Sequence, residues 1–94
     1  MQTKDLNVIH NVERNQFEIQ IDSQVAELAY YLNGNVIFFT HTGVPPALEG
    51  KGIGSLLVKT GLQYARENKL KVQSLCWFVS GYMDRHLEFQ DLAG

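Results

Sequence analysis

The sequence predicts an α+β domain whose C-terminal half is α/β-like: a four-stranded antiparallel meander, then a β-α-β unit and a short C-terminal helix. Three observations carry this expectation. Apolar side chains fall at every second position in the first part of the chain, as in Phe17, Ile19 and Ile21. From Ile53 onward they fall at helical spacing. A second β-prone run, Val72 to Val79, follows that helix. A period of two buries one face of a strand and a period near 3.6 buries one stripe of a helix, so the change of period marks a change of element.

The first strand is expected around Leu6, Val8 and His10, and the second around Phe17, Ile19 and Ile21, with Asn15-Gln16 as the turn between them. Asp22-Ser23 is a second turn signal, and Val25 to Leu32 should place Ala26, Leu28, Tyr30 and Leu32 on one face. Asn33-Gly34 suits a type I′ hairpin, which needs positive φ at both central residues. Val36 to Thr40 is a continuous apolar run and reads as a central strand covered on both faces. Pro45-Pro46 cannot continue a strand and forces a turn. The helix buries Ile53, Leu56, Leu57, Thr60, Tyr64 and Ala65 and ends at Asn68, a residue that tolerates the left-handed conformation of a C-cap. Val72 to Val79 is the fifth strand, parallel to the central one, and Ser80 caps a last helix with Tyr82, Met83 and Leu87 inward. Phe38, Phe39, Trp77 and Phe78 read as sheet core.

Composition bounds the function. The 94 residues suit one domain, 1–94, and 45% hydrophobic with 19% charged residues suits a packed fold. The net charge of −2 and the absence of any Lys/Arg run argue against a nucleic-acid partner. The single cysteine, Cys76, fits a reducing compartment. Met1–Asp5 leads into no signal-like apolar run, and no stretch is long enough to span a bilayer, so the cytoplasm is the expected location and no membrane partner is expected. His10, His41 and His86 are scattered without metal-ligand spacing, so no metal is expected.

The most informative segment is Glu49-Gly50-Lys51-Gly52-Ile53-Gly54-Ser55, at the start of the long helix. Glycine lets a ligand approach the backbone, and a helix start offers unpaired N–H groups with partial positive charge. Together they make an anion site suited to phosphate. Two phosphate motifs fail. Gly50-Lys51 is followed by Gly52 where a Walker A loop needs Ser or Thr, and Leu57 stands where a dinucleotide fingerprint needs its third glycine. A turn that merely permits tight geometry is the plainer reading.

The run from His41 through Gly52-Ile53-Gly54 to Val58, with Leu75-Cys76-Trp77-Phe78-Val79, Tyr82, Arg85 and His86, resembles the small stand-alone proteins of the GNAT superfamily of N-acetyltransferases over essentially the whole chain. The resemblance implies a GNAT-like acyl-CoA N-acyltransferase fold, acetyl-CoA as cosubstrate and a small-molecule or protein amine as acceptor. It implies that the backbone of Gly50, Lys51, Gly52, Ile53, Gly54 and Ser55 holds the CoA pyrophosphate and that Thr42, Gly43 and Val44 pair with the pantetheine arm. Glu49 departs from the family pattern, which has Gln or Arg there, and is expected to face solvent.

Acetyl transfer needs a neutral amine, a polarised carbonyl and a proton for the leaving thiolate. The resemblance implies that His41 and Cys76 stand near the point where the fourth and fifth strands separate, which makes them the candidates. His41 could take a proton from an amine or a thiol, or simply cap the strand end. Cys76 could be a nucleophile activated by His41, could protonate the leaving thiolate, or could be a small buried hydrophobe. Tyr82 is a weaker candidate acid and otherwise a core aromatic. Arg85 and His86 could reach the adenosine 3′-phosphate or face water. Against the enzyme stands a second reading, a non-catalytic CoA- or acyl-CoA-binding or interaction module on a minimal fold.

Overall fold

The computed structural model describes residues 6–94, so the reading of Met1–Asp5 lies outside the described residues. One sheet has the order β1-β2-β3-β4-β5: β1 (Ile9–Asn11), β2 (Gln16–Ile21), β3 (Gln24–Asn33), β4 (Val36–Gly43) and β5 (Lys71–Ser74). The first four strands run antiparallel, and β4 and β5 run parallel. Helix α1 (Ile53–Glu67) connects β4 to β5, α2 (Trp77–Arg85) follows β5, and 3₁₀ segments occupy Pro46–Leu48 and Leu87–Leu92. The architecture is the expected α+β one, a meander followed by a β-α-β unit.

The turns of the meander use Asn15, Asp22 and Gly34 at φ of 54°, 55° and 60°, residue types that tolerate the left-handed region. Asn33 pairs with Val36, so the hairpin loop is Gly34-Asn35 and not Asn33-Gly34. Positive φ falls on Gly34 and not on Asn33 or Asn35, the sign pattern of a type II′ turn and not of type I′. β1 begins at Ile9, while Leu6 and Val8 pack against the core ahead of it.

α1 lies across one face of the sheet. Its Ile53, Leu57, Val58, Leu62 and Ala65 form one buried cluster with Phe17, Ile19, Leu28, Ile37 and Phe39 of the strands. Full burial of each large apolar side chain is worth about 1.5–3 kcal/mol. Gly61 sets the helix-to-sheet distance, because a Cβ there would lie 3.0 Å from Leu28 and from Phe39. Leu56, Thr60 and Tyr64 flank this stripe half-buried.

Several expectations need correction. The central strand is not covered on both faces: Ile37 and Phe39 are buried, while Val36 and Phe38 stay half-exposed on the opposite side. There Phe38 stacks on its cross-strand partner Tyr31 with ring centroids 4.7 Å apart, a pair that stands in for a second layer. The fifth strand ends at Ser74, not Val79, and Trp77–Val79 open α2, so Ser80 lies inside the helix. β5 has only four residues of β4 to pair with before β4 bends away, and the chain then turns into a helix that buries Val79, Tyr82 and Met83. Leu87 is exposed, and Phe89 and Leu92 enter the core in its place. Finally, Leu32 at the strand end is exposed and Trp77 is 85% exposed, so of the four aromatics read as sheet core only Phe39 is buried.

Candidate functional site

The β4–β5 ladder runs from Val36 opposite Lys71 to Phe39 opposite Ser74 and stops. Against β3, Tyr30 pairs with Phe39 while Ala29 pairs with His41, which leaves Thr40 as an extra residue in β4. The Thr40 hydroxyl donates to the Ala29 carbonyl at 3.3 Å. Such a bulge bends its strand and re-aims the side chains beyond it. After the N–H of Leu75 donates to the carbonyl of Phe39 at 2.9 Å, the two chains part. Between them opens a cleft of about 800 Å³. Its walls are Thr40, His41, Thr42 and Val44 on one side and Leu75 to Phe78 on the other, with Leu48 to Gly50 and Gly52 to Ser55 at the end of α1.

The bulge also decides which face each residue takes. Without the extra residue His41 would oppose Leu28 on the α1 side of the sheet. With it, Thr42 opposes Leu28 and His41 opposes Ala29 on the open side. Thr42 therefore reaches the thiol: its Oγ1 lies 3.4 Å from Cys76 Sγ. The hydrogen-bond partner of Cys76 is Thr42 and not His41.

At the start of α1, Gly52 is the N-cap residue with φ 77°, and Gly50 precedes it at φ 80°. No side chain caps this end and no acidic residue sits in its first turn. Ile53, Gly54 and Ser55, whose first-turn main-chain donors no side chain caps, line the cleft at the positive end of the helix dipole. Gly54 has a different reason to lack a side chain, since a Cβ there would lie 2.9 Å from the ring of Phe78. Leu56 N–H donates to Gly52 O at 3.0 Å and begins the helical ladder. Glu49 is exposed at the mouth, and Lys51 is exposed outside the cleft lining.

Cys76 is half-buried where β5 gives way to α2. Burial pushes its thiol up, but the Thr42 hydroxyl and the main-chain N–H groups of Val79, Phe78 and Thr42 favour the thiolate, and the balance lies below the ordinary thiol value. None of the α2 amides closes a full capping hydrogen bond to the sulfur. Donors at a helix start favour the thiolate form of a cysteine.

His41 is 64% exposed, and its Nε2 stands 3.6 Å from the Glu27 carboxylate, itself 32% exposed. Glu27 pairs with Gly43, and a Cβ on Gly43 would fall 2.8 Å from that carboxylate and 3.0 Å from His41 Nε2. The missing side chain leaves the pair its room. Tyr82 lies elsewhere: it is 4% exposed and stacks on His86 at 3.8 Å. Burial and the nearby Glu88 hold its phenol above the usual range, offset in part by Arg85. His86 hydrogen-bonds the Tyr82 carbonyl at 2.8 Å, and neither His86 nor Arg85 lines the cleft. Leu75, Trp77 and Phe78 of the cleft wall, and Glu27, which stands beside His41 but does not line the cleft, were not expected from the sequence. Glu27 becomes visible only once the β3–β4 register is known. Among the described residues no cluster of three or more His, Cys, Asp or Glu could hold a metal ion, and no helix is long and apolar enough to cross a membrane.

Comparison with known proteins agrees with this geometry. The family description "GCN5-related N-acetyl-transferase" matches residues 16–92. The protein NATD1 of Mus musculus is 32% identical over 81 residues, spanning 83% of this chain and 74% of its own. Protein NATD1 of Homo sapiens is also 32% identical over 81 residues, spanning 83% of this chain and 72% of its own. The solution structure of a GCN5-like protein from Staphylococcus aureus superposes with a TM-score of 0.75 at 32% identity, covering 98% of this chain and 91% of that one. A sheet split at its fourth and fifth strands, beside an uncapped helix start, accompanies these matches, and the chain belongs to the GCN5-related N-acetyltransferase family.

Proposed function

We propose that the protein binds acetyl-CoA in the β4–β5 cleft and transfers the acetyl group to a primary amine, on a small molecule or a protein, in the cytoplasm. One observation carries the reading: a single cleft joins the uncapped start of α1 to a cysteine whose thiol is held low. The residues present fit the cosubstrate. The first-turn amides of α1 and the glycines before them suit a diphosphate, and Val44, Leu48 and Phe78 give the cleft apolar wall for an arm of alkyl and amide groups.

Acetyl-CoA supplies a thioester. The Cys76 thiolate attacks its carbonyl carbon, an S–C bond forms at Cys76, and the CoA sulfur leaves and takes up a proton. The amine nitrogen then attacks the same carbon, the bond to Cys76 breaks, and the amine's proton returns to the Cys76 sulfur. Thr42 and the main-chain donors facing that sulfur stabilise it as the attacking thiolate and again when it leaves. His41 is on the other side of β4 and serves the amine, taking the proton that makes it a nucleophile.

The test is intact-mass analysis after mixing with acetyl-CoA alone, followed by thiol-release assays with a panel of amines. A single acetyl group on the protein, absent in Cys76→Ala, is expected. His41→Ala should slow amine acetylation by about a hundredfold, the scale of a lost proton-transfer group. Thiol release that persists in Cys76→Ala would replace the acyl-enzyme with direct transfer. Binding with no turnover on any amine would leave the non-catalytic module.

A further inference from the structure

We infer that Glu27 is a specificity-determining residue of this site, whose carboxylate, with His41, receives the acceptor as an alkyl primary ammonium arriving from the face of the sheet opposite α1. The inference rests on the acetyl-transfer reading above and adds the acceptor's chemistry and its direction of approach.

The bulge at Thr40 separates the two sides. Thr42 and Cys76 meet on the α1 side, where the helix start also opens, while His41 and Glu27 share the open face. The donor's phosphate end and the His41–Glu27 pair therefore approach the gap between β4 and β5 from opposite sides. Glu27 makes no ion pair with Lys or Arg among the described residues; its charge partner is His41 at 3.6 Å, wider than a closed hydrogen bond. No Lys or Arg lines the cleft, so nothing there attracts an anionic acceptor on this side, and Glu49 at its mouth adds a second carboxylate. Gly43 keeps the space over the pair clear, since an added Cβ would press on Glu27 at 2.8 Å and His41 at 3.0 Å and displace them. Leu75 and Trp77, both well exposed on the cleft wall, offer apolar surface for the acceptor's alkyl chain.

The chemistry follows. An ammonium drawn to the Glu27 carboxylate gives one proton to the His41 imidazole, and the carboxylate offsets the imidazolium charge that results. The neutral nitrogen bonds the acetyl carbon, the S–C bond breaks, and the second amine proton goes to the departing sulfur. A lysine side chain and a free diamine present the same group, and an acceptor bearing a carboxylate at that position is repelled.

The experiment compares wild type with Glu27→Gln and Glu27→Asp. Acetyl-CoA affinity is measured by calorimetry, and kinetics are measured with 1,4-diaminobutane, Nα-acetyl-lysine amide and hydroxylamine, the last uncharged at neutral pH. Loss of one partly exposed charge contact is worth up to about 1 kcal/mol, so Glu27→Gln should lower kcat/KM for the ammonium acceptors relative to hydroxylamine by about fivefold. The loss should sit mainly in KM, acetyl-CoA affinity should hold, and Glu27→Asp should recover part of the ratio. The larger loss among diamine and lysine amide identifies the natural source. Acetyl-CoA binding with an unchanged ratio, or an equal loss for hydroxylamine, would overturn the role of Glu27. No acetyl-CoA binding by wild type would overturn the parent reading and this one with it.

Discussion

The two ends of α1 differ in how their backbone groups are satisfied. At the C-terminal end Lys69 adopts φ 57°, its N–H donates to Arg66 O, and Leu70 N–H donates to Ala65 O at 2.8 Å. Asn68 adds a main-chain and a side-chain hydrogen bond to Tyr64 O. This pattern is a Schellman closure, and the left-handed residue is Lys69, one position beyond the Asn68 expected to hold it. At the N-terminal end the left-handed residue is Gly52, no side chain reaches the first-turn donors, and they open on a cleft. Both ends begin with orphan groups. The chain supplies partners for one set and no side-chain cap for the other, which is the end proposed above to meet a diphosphate.

The comparison can be broken in stages. The middle of the helix belongs to neither end, and Leu62→Ala there should cost about 2–5 kcal/mol by urea denaturation, the range for a large buried aliphatic side chain. A loss well below that range would mean that the two ends, and not the core stripe, hold the helix. At the open end, Gly52→Val forces a β-branched residue to φ 77° and should cost about 1–2 kcal/mol while removing any stabilisation by CoA. If the variant melts lower yet still responds to CoA, the turn is structural only. At the closed end, Lys69→Gly relieves a left-handed side chain and should stabilise by about 0.5–1 kcal/mol without touching the CoA response.

A fourth test reads the far wall of the cleft. The Thr42 contact favours the Cys76 thiolate, so its removal in Thr42→Val should raise the thiol's pKa. Alkylation by iodoacetamide at neutral pH should slow, and its pH midpoint should move up toward that of an ordinary thiol. A midpoint that stays put or falls would show that burial and the α2 amides set the thiol's state without Thr42.

Much of the fold was legible because its signals are local. Phe17, Ile19 and Ile21 alternate, Ile53 to Ala65 carry a helical stripe, and Pro45-Pro46 with three glycines separate the two regimes. The end of β5 was not, since Leu75 to Val79 is apolar enough for strand or helix and periodicity alone does not arbitrate a short run. What decides it is the length of β4 available for pairing, a tertiary fact. The site divides in the same way. The glycine turn, His41 and Cys76 announce themselves by residue type and position. The Thr40 bulge does not, because threonine is ordinary in strands, yet it sends His41 to one face and Thr42 to the other. The Thr42–Cys76 contact and the Glu27–His41 pair both follow from that one extra residue. Phe78, read as core, instead places its ring 2.9 Å from where a Cβ at position 54 would stand.

The central claim is that the uncapped start of α1 holds a diphosphate. The direct measurement is calorimetric titration of CoA into wild type, Gly52→Val and Cys76→Ala. The account predicts saturable heat for wild type and Cys76→Ala with similar affinity, and none for Gly52→Val. Equal binding by Gly52→Val, or no heat from wild type with millimolar CoA, would contradict it.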